Sequence, residues 1–313
     1  MTLRVIHHWK DLTDAERGAA VALGNFDGVH RGHQRVIAQA AEAAKAEGCP
    51  LGVITFEPHP RRLFQPDQPT FRLMTHHQQA RVLETLGVER FYILNFDYEM
   101  ASLTDREFVE KVLVDGLGVR HVAVGFDISF GKGRTGSPEL MRRYGEELGF
   151  TVSVAEPVGS NGEKYSSTAV REALRDGKPD EAAAILGRPF AIEGVVLRGK
   201  QFGRTIGVPT ANVPLADYVV PKFGVYATRT RLPDGRTIDG ASSIGVNPTT
   251  GEEEAKLEVW LFDFDEDLYG REIETDLIAF LRPEEKFETV EAMVEQIRRD
   301  EADARALLSR SSN

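Results

Sequence analysis

Short apolar runs recur along the first half of the chain, each ending in a polar or glycine-containing turn. They are VALGNFDG (21–28), LGVITFEPHP (51–60), FYILNFD (91–97), HVAVGFD (121–127) and TVSVAEP (151–157). Their spacing is roughly thirty residues, the period of a β-α-β unit. Between them lie segments of helical periodicity. In the segment 34–46, Val36, Ile37, Ala40, Ala41 and Ala44 fall on one stripe. Strands that alternate with helices predict a parallel sheet covered on both faces. Ligands of such sheets bind beyond the carboxyl ends of the strands, where each of these runs ends.

The pattern changes after LGRPF (186–190). Short β-like runs now follow one another directly: FAIEGVVLRG, GVYATRTRL, TIDGASSIGV, KLEVWLFDF and IETDLIAFL. Asp234-Gly235 between two of them is a hairpin signal. From about residue 290 the tail turns helical, with Val290, Met293, Val294 and Ile297 at helical spacing. The second half therefore reads as a small antiparallel β-barrel with a C-terminal helix. The expected division is a Rossmann-like α/β domain over 1–187 and a barrel domain over 188–313.

Composition narrows the class of partner. The 313 residues carry a formal net charge of -11 with acidic residues spread throughout, which argues against a nucleic-acid partner. A small phosphorylated ligand needs only a local site. The single cysteine, Cys49, excludes an intramolecular disulfide framework and a cysteine-rich zinc site. No apolar run is long enough to span a bilayer, and the N-terminus lacks a signal-peptide core, so the expectation is a cytoplasmic protein with no membrane partner. Oligomeric state is not legible.

The chemistry concentrates in GNFDGVHRGH (24–33), at a strand-to-helix turn. Gly24, Gly28 and Gly32 permit sharp turns and close approach of backbone to a ligand. The helix start near Gly32 offers amide N–H groups and a positive dipole end, to which His30 and His33 add donors. This suits a nucleoside triphosphate attacked at its α-phosphate. Histidines at this spacing could also be a metal pair or surface residues, but no nearby partner ligands complete a zinc site. In PTAN (209–212), Thr210 and Asn212 share one face of an extended strand and offer two hard oxygen donors, suited to Mg²⁺. Gly199, Gly203 and Gly207 precede them and can bring backbone amides to phosphates. In KLEVWLFDF, alternation puts Glu258, Trp260 and Phe262 on one face and Leu257, Val259 and Leu261 on the other. Glu258 is then either a partly desolvated carboxylate beside two aromatics, which suits a general base, or a solvated surface residue.

GNFDGVHRGH contains the His-x-Gly-His signature of the nucleotidyltransferase superfamily. ITFEPHP (54–60), VGFDISFGKGRTG (124–136) and YSSTAVREAL (165–174) are similar to successive motifs of the bacterial FAD synthetase domain. GRTIGVPTANV, GVYA and LEVWLFDFDEDLYG resemble riboflavin kinase. In order and spacing the chain resembles the bacterial bifunctional riboflavin kinase/FAD synthetase (FMN adenylyltransferase) family over nearly its whole length. The resemblance implies phosphorylation of riboflavin to FMN and adenylylation of FMN to FAD, with ATP as substrate of both reactions and Mg²⁺ as cofactor.

For residues, it implies that His30 and His33 stabilise the transition state of adenylylation. Gly24, Asn25, Phe26, Gly32 and His59 would line the phosphates, although His59 also reads as part of a proline-fixed turn and Asp27 as an Asx-turn former. Asp127 and Phe130 would meet the flavin. Ser166, Ser167, Thr168 and Arg171 match the family's SSTxxR, where a Ser/Thr run also reads as a plain helix cap. In the second half, Gly199, Gly203, Arg204 and Gly207 would contact ATP phosphates, Thr210 and Asn212 the Mg²⁺, and Glu258 would be the base. Asn247-Pro248-Thr249-Thr250 departs from the family's usual Arg-Pro-Thr-aromatic. A cytidylyl or pantetheine-phosphate adenylyltransferase would leave the second half unexplained, the acidic balance disfavours a class I aminoacyl-tRNA synthetase, and a non-catalytic flavin sensor would not need Glu258.

Overall fold

The computed structural model describes residues 2–160, 163–199, 203, 206–246 and 254–310. Arg204 and the Asn247–Thr250 departure lie outside the described residues. The chain forms two compact units, Met1–Gln68 with His76–Tyr165, and Pro69–Thr75 with Ser166–Asn313. The expected boundary at 187 falls later than this division. The reason is packing: Val170, Leu174, Ala182 and Leu186 are buried in the core of the second unit.

The first unit holds a six-stranded parallel sheet: β1 (Arg4–Ile6), β2 (Ala20–Leu23), β3 (Leu51–Glu57), β4 (Arg90–Asn95), β5 (His121–Gly125) and β6 (Thr151–Ala155). Their spatial order is β1-β4-β3-β2-β5-β6. The five predicted runs are β2 to β6; the edge strand β1 carried no signal of its own. Helices α1 (Arg31–Glu47), α2 (Pro60–Phe64), α3 (His76–Thr85), α4 (Tyr98–Ser102), α5 (Asp105–Glu107) and α6 (Pro138–Leu148) join the strands, with a wider π-type turn over Phe108–Gly116. Val21, Leu23, Ile54, Leu94, Val122 and Val124 share a core with Val109, Val112, Leu113 and Met141. The predicted stripe of α1 buries Val36, Ile37, Ala40 and Ala44, and α1 packs on β2, β3, β5 and β6. The helix starts at Arg31, earlier than the periodic stripe indicated, so His33 is inside its first turn.

A short hairpin, β7 (Gly159–Ser160) with β8 (Glu163–Lys164), ends the first unit. The second opens with α7 (Ser167–Arg175) and α8 (Pro179–Leu186) and continues as six antiparallel strands: β9 (Phe190–Val195), β10 (Thr210–Pro214), β11 (Gly224–Arg231), β12 (Thr237–Gly245), β13 (Lys256–Leu261) and β14 (Glu272–Arg282). Their order is β10-β13-β12-β11-β14-β9. A bridge between Leu197 and Asn212 draws the two edges together, so the sheet curls into a half-barrel. The hairpin predicted at Asp234-Gly235 joins β11 to β12, with Gly235 at φ 88°. Inside lie Ile192, Val213, Tyr226, Ile244, Leu257, Val259, Leu261, Ile273 and Leu277. The C-terminal helix α9 (Val290–Arg310) packs on the opposite face, where Ala304 and Leu308 meet Ala227, Ala241 and Phe262. Its N-terminal apolar residues are not in that core: Val290 is exposed, and Met293 and Ile297 line a cleft.

Candidate active sites

In the first unit the strand order reverses at β2, with β3 on one side and β5 on the other. Such a reversal opens a crevice beyond the carboxyl ends of the strands. The loop 24–30 leaves β2 at this crevice, Asp127 follows the end of β5, and His59 follows the end of β3. Three loop residues are left-handed: Phe26 at φ 49°, Gly28 at 86° and Val29 at 42°. For Phe26 and Val29 this conformation costs about 1–3 kcal/mol each. Burial of both side chains offsets it, as do bonds to the loop carbonyls. Thr55 Oγ1 donates to the Asn25 carbonyl at 2.8 Å, Gln79 Nε2 to those of Asn25 and Phe26 at 3.3 and 3.1 Å, and Gln34 Nε2 to that of Val29 at 2.9 Å.

His30 is the N-cap of α1. Its Nδ1 accepts the His33 N–H at 3.2 Å, so the hydrogen of the neutral ring sits on Nε2. One amide of the helix start is thus taken by the cap rather than offered to an anion, which corrects the simpler expectation. The His30 and His33 rings stack at 3.6 Å, and the Phe26 ring meets His33 edge-on at 5.1 Å. A Cβ on Gly32 would lie 3.0 Å from the His30 ring; glycine is what lets the cap, the stack and the helix coexist. The first turns of α1 and α7 have no acidic residue, as is also true of α2 and α3, whereas α4 and α6 each carry one and α5 and α8 two. No carboxylate in the first turn of α1 or α7 therefore opposes the positive end of its helix dipole.

His59 caps α2 by accepting from the Arg61 N–H at 3.1 Å. Asp127 pairs with Lys164, whose ammonium also sits 4.4 Å over the Phe126 ring. Phe130 belongs to an aromatic row: Phe64 meets Phe96 at 6.2 Å, Phe96 meets Phe56 at 5.6 Å, Phe56 meets Phe108 at 6.2 Å, and Phe108 meets Phe130 at 5.9 Å. Of this row only Phe130 was a sequence candidate. Alternation of FEP and NFD could have marked Phe56 and Phe96 as strand-end aromatics, but nothing in the sequence paired them. Ser166, Ser167, Thr168 and Arg171 fall in the second unit. Ser166 caps α7 through the Ala169 N–H at 3.1 Å, and Arg171 Nε donates to the Phe71 carbonyl at 2.7 Å.

The second unit has a cleft of 510 Å³ between the outer face of the half-barrel and α9. Thr210, Asn212, Glu258 and Trp260 all line it, as strand alternation predicts. Register completes the arrangement. Asn212 lies opposite Glu258 on one side, and Ser243 lies opposite Glu258 on the other. Lys256 Nζ is 3.1 Å from the Glu258 carboxylate. The Glu284 carboxylate fills the space that a side chain at Gly245 would need. Burial, and then the charge of Glu258, push the Glu284 carboxyl above its usual range. A Cβ on Gly199 would meet the Asn212 amide at 2.5 Å, and one on Gly203 would lie 3.5 Å from Thr210 Oγ1. Gly199 and Gly203 therefore lie against the PTAN strand. Gly207, at φ 77°, has nothing near its Cβ position.

In the lining of the cleft, Arg282 forks onto Asp300 at 2.9 and 2.8 Å, and Gln296 Nε2 donates to Asp300 at 2.9 Å. This part-buried pair ties α9 to β14. Lys256, Ser243, Glu284, Arg282 and Asp300 were not sequence candidates, because their places depend on strand register and helix docking.

A family model described as FAD synthetase matches residues 12–169, and one described as riboflavin kinase matches residues 186–308. The chain is 42% identical to the bifunctional riboflavin kinase/FMN adenylyltransferase of Pseudomonas fluorescens over 312 residues, covering 99% of this chain and 100% of that one. The chain belongs to the bifunctional riboflavin kinase/FMN adenylyltransferase family. The Escherichia coli (strain K12) member is 39% identical, with 97% of each chain covered. A solved structure described as a macrolide-efflux protein from Streptococcus pneumoniae superposes with a TM-score of 0.87 at 33% identity, covering 97% of this chain and 99% of that one. As a family member the chain is an enzyme with two activities. It phosphorylates riboflavin to FMN and adenylylates FMN to FAD, and ATP, riboflavin, FMN and FAD are its small molecules. Among the described residues no helix is long and apolar enough to cross a membrane.

Proposed function

We propose that the crevice at β2 and β5 carries FMN adenylylation and that the cleft under α9 carries riboflavin phosphorylation. The observation that carries the first assignment is the GNFDGVHRGH loop at the point where strand order reverses. There the FMN phosphate attacks the α-phosphate of ATP and pyrophosphate leaves. His33 and the Nε2 of His30 donate to the phosphoryl oxygens as negative charge develops, and the α1 dipole adds to them. Stacking of the two rings fixes both donors before the substrate arrives. Gly24, Asn25, Phe26 and Gly32 let the backbone approach the phosphates, and His59 contributes from the end of β3. The aromatic row ending at Phe130 suits the flat isoalloxazine ring, with Asp127 beside it. Ser166, Ser167, Thr168 and Arg171 are assigned to ATP on their likeness to SSTxxR.

In the cleft, Glu258 accepts the proton of the riboflavin hydroxyl that attacks the γ-phosphate. Because that transition state is loose, the base supplies on the order of 10²-fold. Thr210 Oγ1 and the Asn212 amide oxygen are adjacent hard donors on one face, a set that fits Mg²⁺ with its remaining positions left to water and phosphate. Bound there, the ion would neutralise charge on the ATP phosphates. Gly199, Gly203, Arg204 and Gly207 would cradle those phosphates. The lone cysteine and the substrates are consistent with a cytoplasmic enzyme.

The test is a crossed pair of variants assayed on both half-reactions, with riboflavin or FMN supplied with ATP and Mg²⁺ and products separated by chromatography. His33→Ala should lower FAD formation by about 10²-fold or more and leave FMN formation intact. Glu258→Ala should do the reverse, at about 10²-fold. Equal loss of both activities in either folded variant would refute the two-site division.

A further inference from the structure

We infer that Glu57, His76 and Gln79 form a positioning relay that holds the GNFDGVHRGH loop for adenylylation. The inference rests on reading that loop as the phosphate site. Gln79, on α3, is 3% exposed. Its amide nitrogen donates to two consecutive loop carbonyls, those of Asn25 and Phe26. That choice fixes the amide: turning it over would set its oxygen against both carbonyls. The oxygen therefore faces His76 Nδ1 at 3.0 Å, and the ring must donate there. The other ring nitrogen, Nε2, meets Glu57 Oε2 at 2.6 Å. The links from the loop carbonyls through Gln79 to His76 thus have their donors and acceptors set by one another, and Glu57 anchors the far side of the ring. Glu57 ends β3, the strand beside β2, so the relay ties the loop to the carboxyl end of an interior strand from the side away from β5.

None of the three residues need touch substrate. Their part is to hold two carbonyls of a loop that contains the left-handed Phe26 and Val29, and whose next residue, His30, caps α1. If the loop shifts, the His30 cap and the His30–His33 stack shift with it. Misplacement of reacting groups by an ångström costs on the order of a hundredfold. The loss should fall on the donors that matter in the transition state more than on the binding of FMN.

The experiment compares Gln79→Leu, His76→Phe and the double variant. His76→Phe keeps a ring against Phe91, which His76 meets edge-on at 6.3 Å. Each single variant should lower kcat for FMN adenylylation by about tenfold to a hundredfold, with KM for FMN unchanged and riboflavin phosphorylation at the wild-type rate. The double variant should be no slower than the worse single, because the residues act as one chain. Independent, multiplying losses, or an unchanged kcat, would overturn the relay. Where a single variant does not fold by circular dichroism, Glu57→Leu takes its place: it removes the hydrogen-bonding partner of His76 Nε2, and its kcat must also fall. His33→Ala is measured alongside. If it cripples adenylylation while the relay variants do not, the relay fails; if it too is harmless, the loop is not the phosphate site.

Discussion

The two phosphate sites we propose for this enzyme are built in opposite ways. In the parallel unit, one contiguous loop supplies the backbone, the helix start and both imidazoles, and the sheet contributes only the place. In the antiparallel unit, no segment contains the site. Thr210 and Asn212 come from β10, Ser243 from β12, Lys256 and Glu258 from β13, and Arg282 from β14, and register brings them to one face. A loop site is tuned by what holds the loop. A face site is tuned by pairing, since one residue of slip would carry every side chain to the other face.

The largest effect that sharpens this contrast is expected at the PTAN strand. Thr210→Val keeps a β-branched shape suited to a strand and deletes one oxygen. It should lower kcat/KM for riboflavin phosphorylation by about a hundredfold and raise the Mg²⁺ midpoint, with FMN adenylylation untouched. Asn212→Leu should be more severe, because it puts an apolar group opposite Glu258. A Mg²⁺ titration of both half-reactions checks this. A wild-type midpoint and rate in Thr210→Val would leave Thr210 as an ordinary strand residue.

The same contrast explains what the sequence made legible. GNFDGVHRGH could be read whole, because its chemistry is contiguous and the β-α-β period says where it sits. Thr210, Asn212 and Glu258 could be placed on faces by alternation, but not beside one another. Lys256 and Ser243 gain meaning only once β13 is set between β10 and β12. The Arg282–Asp300 pair needs the docked helix, and its partner positions in α9 break the apolar stripe that Val290, Met293 and Ile297 suggested. Gln79 and Thr55 escaped notice for a different reason: they act on backbone carbonyls, which carry no sequence signal. The boundary near 187 followed the change of pattern, whereas packing assigns α7 and α8 to the second unit.

A second difference between the units concerns pH. Burial pushes the Asp276 carboxyl, on β14, up to about 6, against the pull of Arg231, Arg188 and Arg229. A carboxyl raised above its unfolded value binds its proton more tightly when folded. Its contribution to stability is therefore complete below pH ~4 and is lost as pH rises through ~6. The change amounts to about 3 kcal/mol. Asp276→Asn should flatten that dependence in the second unit and leave the first unit unaltered. The two tryptophans make the measurement specific: in a Trp9→Phe background, Trp260 reports unfolding of the second unit alone. The decisive quantity is the difference between Asp276→Asn and its parent across this range, and a difference that does not grow with pH would contradict the buried, proton-holding carboxyl.

The smallest effect, and the one that best separates geometry from stability, is expected at Gly32. Alanine is the better helix former, by up to about 1 kcal/mol in a helix interior and less in a first turn. On propensity alone Gly32→Ala should be neutral or mildly stabilising. Its Cβ, however, would stand 3.0 Å from the His30 ring and 3.4 Å from the Tyr165 carbonyl. The backbone carbonyl cannot yield as a side chain can, so His30 must move by a few tenths of an ångström. That displacement strains the Nδ1 cap on the His33 N–H and opens the stack between the two imidazoles. FMN adenylylation should fall by about tenfold, with riboflavin phosphorylation unchanged and the melting temperature of the first unit unchanged or slightly raised. Thermal unfolding and the two half-reaction rates, measured on one preparation, decide it. Wild-type adenylylation in a folded Gly32→Ala would mean that the loop site tolerates loose imidazoles, and the contrast between a site held by its loop and one held by register would lose its basis.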